Sequence, residues 1–270
     1  MNIGIAVFSG VIQGLTEFLP VSSSGHLVLV QKISGISEPT LFFSVMLHAG
    51  TLLAVFVVLW RDIWAVLRRP IQPLTGYLIL ATLPIVAAAL VLRNPIERAF
   101  ETGMFLGFSF LTTSALLFSA ELLIRRRGTN LKKPGEMNWR DALTVGIMQA
   151  VAIIPGVSRS GATITGALSR GLDRDFAARF SFLLCIPAIL GALVLHLKEL
   201  ADGGMAEAAN GGITAAEIIA GSGAAAVTGF FAVKFMLKII REKSLFGFAA
   251  YTAVLGTLVL VDQFVTRIIF

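Results

Sequence analysis

The chain has 270 residues, of which 56% are hydrophobic and only 14% charged, with a formal net charge of +6 and a single cysteine; its mean hydropathy is +0.84. This composition excludes an ordinary soluble domain, because several apolar runs reach the roughly 18 residues that read as membrane spans. It also argues against a nucleic-acid partner, since the positive charge sits in short loops, where it orients membrane proteins. One cysteine, Cys185, excludes an internal disulfide or a cysteine-based metal cluster and reads as a small buried apolar residue.

Residues 3–19 are apolar, Pro20-Val21-Ser22-Ser23-Ser24-Gly25 interrupts them, and 27–33 are apolar again. Each arm falls short of the roughly 20 residues of a full crossing. Residues 1–34 therefore read as a re-entrant helical hairpin, whose polar break must be buried in protein or line a cavity. The N-terminus has no basic segment and no Ala-x-Ala pattern, so it reads as part of the mature fold and not as a removable signal peptide. Spans are expected at 41–60, ending at Trp60-Arg61-Asp62, at 75–92 and at 103–124. A basic linker, 125–140, carries Arg125, Arg126, Arg127, Lys132, Lys133 and Arg140. A second hairpin is expected at 141–170, broken at 155–161, and further spans at about 177–197, 214–238 and 245–266. Trp60, Trp64 and Trp139 fit an interfacial aromatic belt, His196 reads as interfacial, and Glu217 and Lys234 as snorkelling groups near span ends.

Loop charges orient this layout. Loops 61–74 and 125–140 and the segment from Arg170 to Arg179 are net basic and read cytoplasmic, as do Lys234, Lys238, Arg241 and Lys243. Loop 93–102 balances Arg93 and Arg98 with Glu97 and Glu101, and loop 198–213 sets Lys198 against Glu199, Asp202 and Glu207; both read as external. The expectation is an all-α polytopic membrane protein of six transmembrane helices and two re-entrant hairpins, with both termini outside.

The two hairpins resemble one another. Residues 6–25 laid over 142–161 without a gap match Ala6 with Ala142, Gly10 with Gly146, Gln13 with Gln149, and Val21, Ser22, Ser24 and Gly25 with Val157, Ser158, Ser160 and Gly161. Each copy precedes three spans, and the loop charges give the copies opposite orientation. The chain thus reads as one membrane domain, 1–270, made of an inverted-topology repeat: 1–124, the linker 125–140, and 141–270. Such repeats place their site near the bilayer midplane, where the broken helices meet.

The residues at the breaks point to anion chemistry. Arg159 is an intramembrane cation with no charged residue between Asp141 and Arg170, and such charges mark sites. Ser158, Ser160 and Thr163 supply hydroxyls, and Gly161 opens a helix whose free N–H groups favour phosphate. The first copy adds Glu17, four residues after Gln13 on one helix face, and His26 beside Gly25; Ser23 stands at the position of Arg159. Together these are parts for phosphoryl transfer. Arg159 and the helix starts, with Gln13, Ser22, Ser24 and Gly25 nearby, would hold phosphate. Ser23 or water would attack, and Glu17 and His26 would move protons or hold a metal. Plain structural roles compete: Glu17 as the ion-pair partner of Arg159, His26 as an interhelical hydrogen bonder, the serines as satisfiers of backbone groups. His48 is a further polar candidate that either lines the same cavity or bonds across helices, the second being the preferred reading.

The segment from Gln13 through Glu17 to His26 resembles the first motif of the undecaprenyl-diphosphate phosphatase family of the bacitracin-resistance type, and Pro155-Gly-Val-Ser-Arg159-Ser-Gly-Ala-Thr163 resembles its second. The segments His48-Ala-Gly-Thr-Leu-Leu-Ala54 and Phe180-Ser-Phe-Leu-Leu, with Pro187 and Gly191-Ala192, are similar as well. The resemblance implies an integral enzyme of the bacterial cell membrane. It would remove the terminal phosphate of undecaprenyl diphosphate, recycling the lipid carrier of cell-wall glycan synthesis at a site opening to the outer face. It implies Glu17 as the essential carboxylate, His26 and Arg159 as functional positions, Ser23 as the proposed nucleophile, and a divalent cation, Mg²⁺ or Ca²⁺, with Glu17 its candidate ligand. Gln13 stands where many members carry a second glutamate, and Ser44 where an acidic residue is common, which weakens a two-carboxylate metal site. A polyprenyl diphosphate is the implied partner, and a second copy of the chain a candidate one. The inverted repeat leaves a transporter or a polyprenyl-phosphate flippase as the competing function.

Overall fold

The structure is a computed structural model that describes residues 2–34, 41–92, 95–96, 99, 102–128, 131–199 and 213–270. Its regular elements among these are helical. In chain order they are α1 (Ile3–Phe18), α2 (Ser23–Ser34), α3 (Leu41–Val58), α4 (Trp60–Arg68), α5 (Pro73–Val91), α6 (Leu106–Arg127), α7 (Trp139–Val151), α8 (Arg159–Ser169), α9 (Arg174–Glu199), α10 (Ala215–Glu242) and α11 (Phe246–Val261), the last continuing into a π-turn at Asp262–Thr266. The external loop charges at Arg93, Glu97, Arg98, Glu101, Asp202 and Glu207, the Glu199 side chain and the His196 ring lie outside the described residues.

Five of these helices, α5, α6, α9, α10 and α11, are long and apolar enough to cross a membrane, and α3 with α4 makes a sixth if the bent pair counts as one. The chain is an integral multi-pass membrane protein. Its outer surface carries Leu53, Val57, Ile79, Leu83, Val227, Phe231, Val254 and Leu258, as a lipid-facing surface should, because lipid tails do not penalise apolar groups. The apolar segment expected as a span at 41–60 is helical over Leu41–Val58; the helix axis turns by 80° after it, and the first part of the segment read as loop 61–74 is helical through Arg68. The reason is polarity. Arg61 and Asp62 cannot continue into an apolar layer, and α4 lays Asp62 beside Arg179, whose Nη1 donates to Asp62 Oδ2 at 2.7 Å, while Trp60 and Trp64 stack at 5.4 Å.

The shorter helices supply the interior. α1 has 16 residues, α2 has 12, α7 has 13 and α8 has 11, each under the roughly 20 needed to cross. α1 packs chiefly on α10, from the far half of the sequence, and α7 packs on α5 from the near half, while α6 lies against α11 and α3 against α9. Small residues permit these crossings. A Cβ on Gly10 would run into the Gly221 carbonyl oxygen, and one on Gly146 would lie 2.6 Å from that of Ala81. These two glycines are partners in the internal match.

Ion pairs gather at one end of the bundle. Glu121 on α6 accepts from Arg174 Nη2 at 2.9 Å and from the Leu245 N–H at 3.1 Å. Asp141, fully buried, accepts from Lys132 Nζ at 2.9 Å and Arg170 Nε at 2.8 Å. Burial works to raise the Asp141 pKa, but hydrogen bonds from Lys132, Arg170 and Asn138 outweigh it and hold the carboxyl below its ordinary range. Glu217 does not snorkel: it is buried and closes a capping box on Thr214, whose N–H it accepts at 2.7 Å. Lys234 lies over the Phe230 ring, 4.1 Å from its centroid.

Candidate active site

The two breaks fold alike. In the first, Ser22 Oγ accepts from the Gly25 N–H at 3.2 Å and lies 3.3 Å from Ser24 Oγ. In the second, Ser158 Oγ accepts from the Gly161 N–H at 3.1 Å and lies 3.2 Å from Ser160 Oγ. Each leading serine thus caps the helix that follows it, α2 or α8, satisfying an N–H that the helix start leaves over. Ser22 does so at a φ of 73°, a left-handed conformation that a side chain adopts only when its surroundings hold it there. In the second break the positive φ, 87°, falls on Gly156, where it carries no such cost.

The breaks also touch. The Gly156 N–H donates to Ser24 Oγ at 3.3 Å, and Ser160 Oγ donates to the Leu19 carbonyl at 3.0 Å. This contact carries the N-terminus of α8 to the C-terminal end of α1, and so Arg159 to Glu17. Arg159 Nη2 donates to Glu17 Oε1 in a short, buried ion pair. Ser23 Oγ donates to the other oxygen, Oε2, at 2.5 Å, and Gln13 Nε2, one helical turn back on α1, donates to it at 2.9 Å. Glu17 is therefore the hub, its side chain 4% exposed. Two groups in the cluster keep buried atoms without a partner among the described residues, Arg159 Nη1 and Gln13 Oε1. A buried donor left unpaired costs about 1–3 kcal/mol, and a ligand rich in oxygen acceptors would remove that cost at Arg159.

The structure brings together Gln13, Glu17, Ser23 and Arg159, and it sets other site residues read from the sequence elsewhere. His26 does not reach Glu17. Its Nδ1 lies 2.7 Å from the Ser22 carbonyl, its Nε2 2.7 Å from the Tyr251 hydroxyl, and its ring stacks on Tyr251. It therefore holds α2 against α11. The hydroxyls of Ser22, Ser24, Ser158 and Ser160 are engaged within and between the turns. Thr163 Oγ1 donates to the Arg159 carbonyl at 2.8 Å and lies 2.5 Å from Ser181 Oγ. Gly25 and Gly161 serve packing: a Cβ on Gly25 would fall 2.6 Å from the Phe110 ring, and one on Gly161 3.2 Å from Ser158.

Two further neighbours adjoin this cluster. His48 on α3 turns Nε2 toward Glu17 Oε2 at 3.6 Å while its Nδ1 rests on the Ser44 carbonyl at 2.8 Å, and its side chain is 31% exposed. Cys185 on α9, read as plain apolar filling, is buried close to Arg159. A sequence signal existed for both. Phe43-Ser44 and Phe180-Ser181 open matching segments, and His48 and Cys185 each follow four residues after the serine.

A resident divalent cation does not fit these groups. Oε1 of Glu17 is taken by Arg159, Oε2 accepts from Ser23 and Gln13, and Gln13 presents a donor where a ligand would need a lone pair. Among the described residues no three His, Cys, Asp or Glu side chains come together.

The profile of the bacitracin resistance protein BacA family matches residues 6–258. A protein of Carboxydothermus hydrogenoformans named undecaprenyl-diphosphatase is 44% identical over 264 residues, 97% of this chain and 98% of the relative. The undecaprenyl-diphosphatase 4 of Bacillus thuringiensis subsp. konkukian is 41% identical over 98% of each chain. The undecaprenyl-diphosphatase of Alkaliphilus metalliredigens is 38% identical, covering 94% of this chain and 96% of the relative. With its two broken helices meeting at Glu17 and Arg159 and this similarity running over nearly its whole length, the chain belongs to the BacA bacitracin resistance family.

Proposed function

We propose that the chain hydrolyses undecaprenyl diphosphate to undecaprenyl phosphate and inorganic phosphate, returning the lipid carrier for cell-wall glycan synthesis, with Glu17, Ser23 and Arg159 as the reacting centre. The observation that carries this reading is the pair of contacts on Glu17: Ser23 Oγ on one oxygen and Arg159 on the other. The terminal phosphate sits against Arg159, whose Nη1 has donors to give. Arg159 then holds the negative charge that spreads over the phosphoryl oxygens in the transition state. Ser23 Oγ attacks the terminal phosphorus and its proton passes to Glu17, which gives it to the bridging oxygen as the bond from that phosphorus breaks and undecaprenyl phosphate leaves. Water then attacks the phosphoserine; the freed Glu17 carboxylate takes a proton from the water and passes it to Ser23 Oγ as the bond from phosphorus to that oxygen breaks, releasing inorganic phosphate and restoring the free serine. His48 faces Glu17 from α3 and tempers its charge. His26, tied to Ser22 and Tyr251, keeps the first break in shape.

The setting proposed for this chemistry is an inverted repeat with two re-entrant hairpins, α1–α2 and α7–α8. The hairpin arms are short, and each first arm packs on the other half of the sequence. The breaks then lie near the midplane, opening outward. The relatives are named as phosphatases, which does not favour a transporter or flippase.

The test is phosphate release from undecaprenyl diphosphate by the purified chain in detergent, followed by acid quench during turnover and mass analysis of the peptide holding Ser23. Phosphate release and a phosphorylated Ser23 are expected. Release without label on Ser23 in single-turnover samples assigns the attack to water, and no release at all sinks the hydrolase reading.

A further inference from the structure

Divalent cations at phosphate sites need open oxygen ligands. Mg²⁺ takes near-octahedral oxygen coordination, commonly one or two carboxylates completed by water and by the phosphates themselves. Both oxygens of the Glu17 carboxylate are already engaged. Arg159 occupies Oε1; Ser23 and Gln13 donate to Oε2 at 2.5 and 2.9 Å. The orientation of the Gln13 amide follows from chemistry. Its oxygen beside a carboxylate oxygen would set two acceptors against each other, so the NH₂ group faces Glu17 and Oε1 is left over. Gln13 is neutral and turns its donor to Glu17, and Arg159 neutralises that carboxylate, so the cluster offers a cation no net negative charge.

We infer that this chain keeps no resident divalent cation and that Gln13 is the residue responsible; the inference rests on the donor set around Glu17 and not on the reaction. Changing Gln13 to glutamate would reverse the arrangement. A second carboxylate one helical turn from Glu17, with His48 Nε2 already 3.6 Å from that group, makes a three-donor cluster that repels itself until a cation enters.

The test is Mn²⁺ binding, read by the loss of free Mn²⁺ signal in electron paramagnetic resonance, on the full chain in detergent without lipid. Wild type and Glu17→Gln are expected to bind alike, with no stoichiometric site at sub-millimolar Mn²⁺. Gln13→Glu is expected to bind one Mn²⁺ per chain at least tenfold more tightly than wild type. One Mn²⁺ per lipid-free wild-type chain, lost in Glu17→Gln, overturns the inference. A folded Gln13→Glu protein that binds no better than wild type removes the assignment to Gln13. Wild-type phosphate release, measured alongside, separates the two readings: its absence defeats the hydrolase, while an unchanged Mn²⁺ result leaves the donor-set argument standing.

Discussion

Glu17 and Arg159 are the charges in this protein whose removal has two separable effects. They form a buried pair, and taking away one partner strands the other in a medium that solvates it poorly, at about 3–5 kcal/mol. Arg159→Ala is therefore expected to lower both thermal stability and kcat/KM, the latter by about 1000-fold or more if Arg159 stabilises the transferring phosphoryl group. The double variant Glu17→Gln/Arg159→Gln separates the effects: with neither charge buried, its unfolding temperature in detergent should return toward wild type while phosphate release stays abolished. A double variant as unstable as Arg159→Ala would show that packing, not charge, dominates there. The two histidines are expected to part in the same way. His48→Gln, beside Glu17, should reduce kcat about tenfold or more with little change in melting temperature. Tyr251→Phe, which cuts the His26 contact at α11, should chiefly lower stability; kinetics and a thermal scan on both variants check this.

At the scale of the element, each break is a capped turn, and the caps are the cost of interrupting a helix at such depth. Losing a serine N-cap typically costs about 1 kcal/mol. Ser22→Ala should exceed Ser158→Ala in destabilisation, because Ser22 also holds a left-handed backbone; guanidinium or thermal unfolding in detergent reads the difference. The start of α7 offers a pH test. Asp141 sits below its ordinary range because the bonds from Lys132, Arg170 and Asn138 outweigh burial. A carboxyl depressed on folding contributes stability that is complete above its unfolded pKa and lost as pH falls through the lower folded one. Melting temperature should thus drop on acidification below about pH 4, and Asp141→Asn should be less stable at neutral pH with a flatter acid limb. An acid limb unchanged in that variant would place the loss on other carboxylates, such as Glu121.

The whole molecule is held by exchange between its halves. α1 rests on α10 and α7 on α5, so neither half can bury its short hairpin alone, and the two halves expressed separately should each be unstable and regain activity only together. The proposed orientation has its own check. In a Cys185→Ser background, a cysteine at Lys133 should react with a membrane-impermeant maleimide only after the cells are opened, whereas one at Asn2 should react from outside. Labelling of both from the same side would end the inverted arrangement.

The sequence by itself determined the class of the protein, the position of both broken helices and the residue types at the centre. Apolar runs, a break of the form Val-Ser-x-Ser-Gly repeated after 136 residues, an arginine inside the second break and a glutamate just before the first are local or pairwise signals, readable because charge in an apolar layer must be answered by opposite charge. The tertiary structure alone decided which neighbours complete the cluster. Whether His26 or His48 turns toward Glu17, and whether Cys185 lies near Arg159 or away from it, depends on the rotation of α2, α3 and α9 about their own axes. That rotation is set by packing between helices distant in the chain, through contacts such as Gly10 on Gly221 and Phe18 on Phe182. The bend at Leu59 has the same origin: the polarity of Arg61 and Asp62 signals an end to the span, but only Arg179, more than a hundred residues later, gives the chain a direction in which to turn.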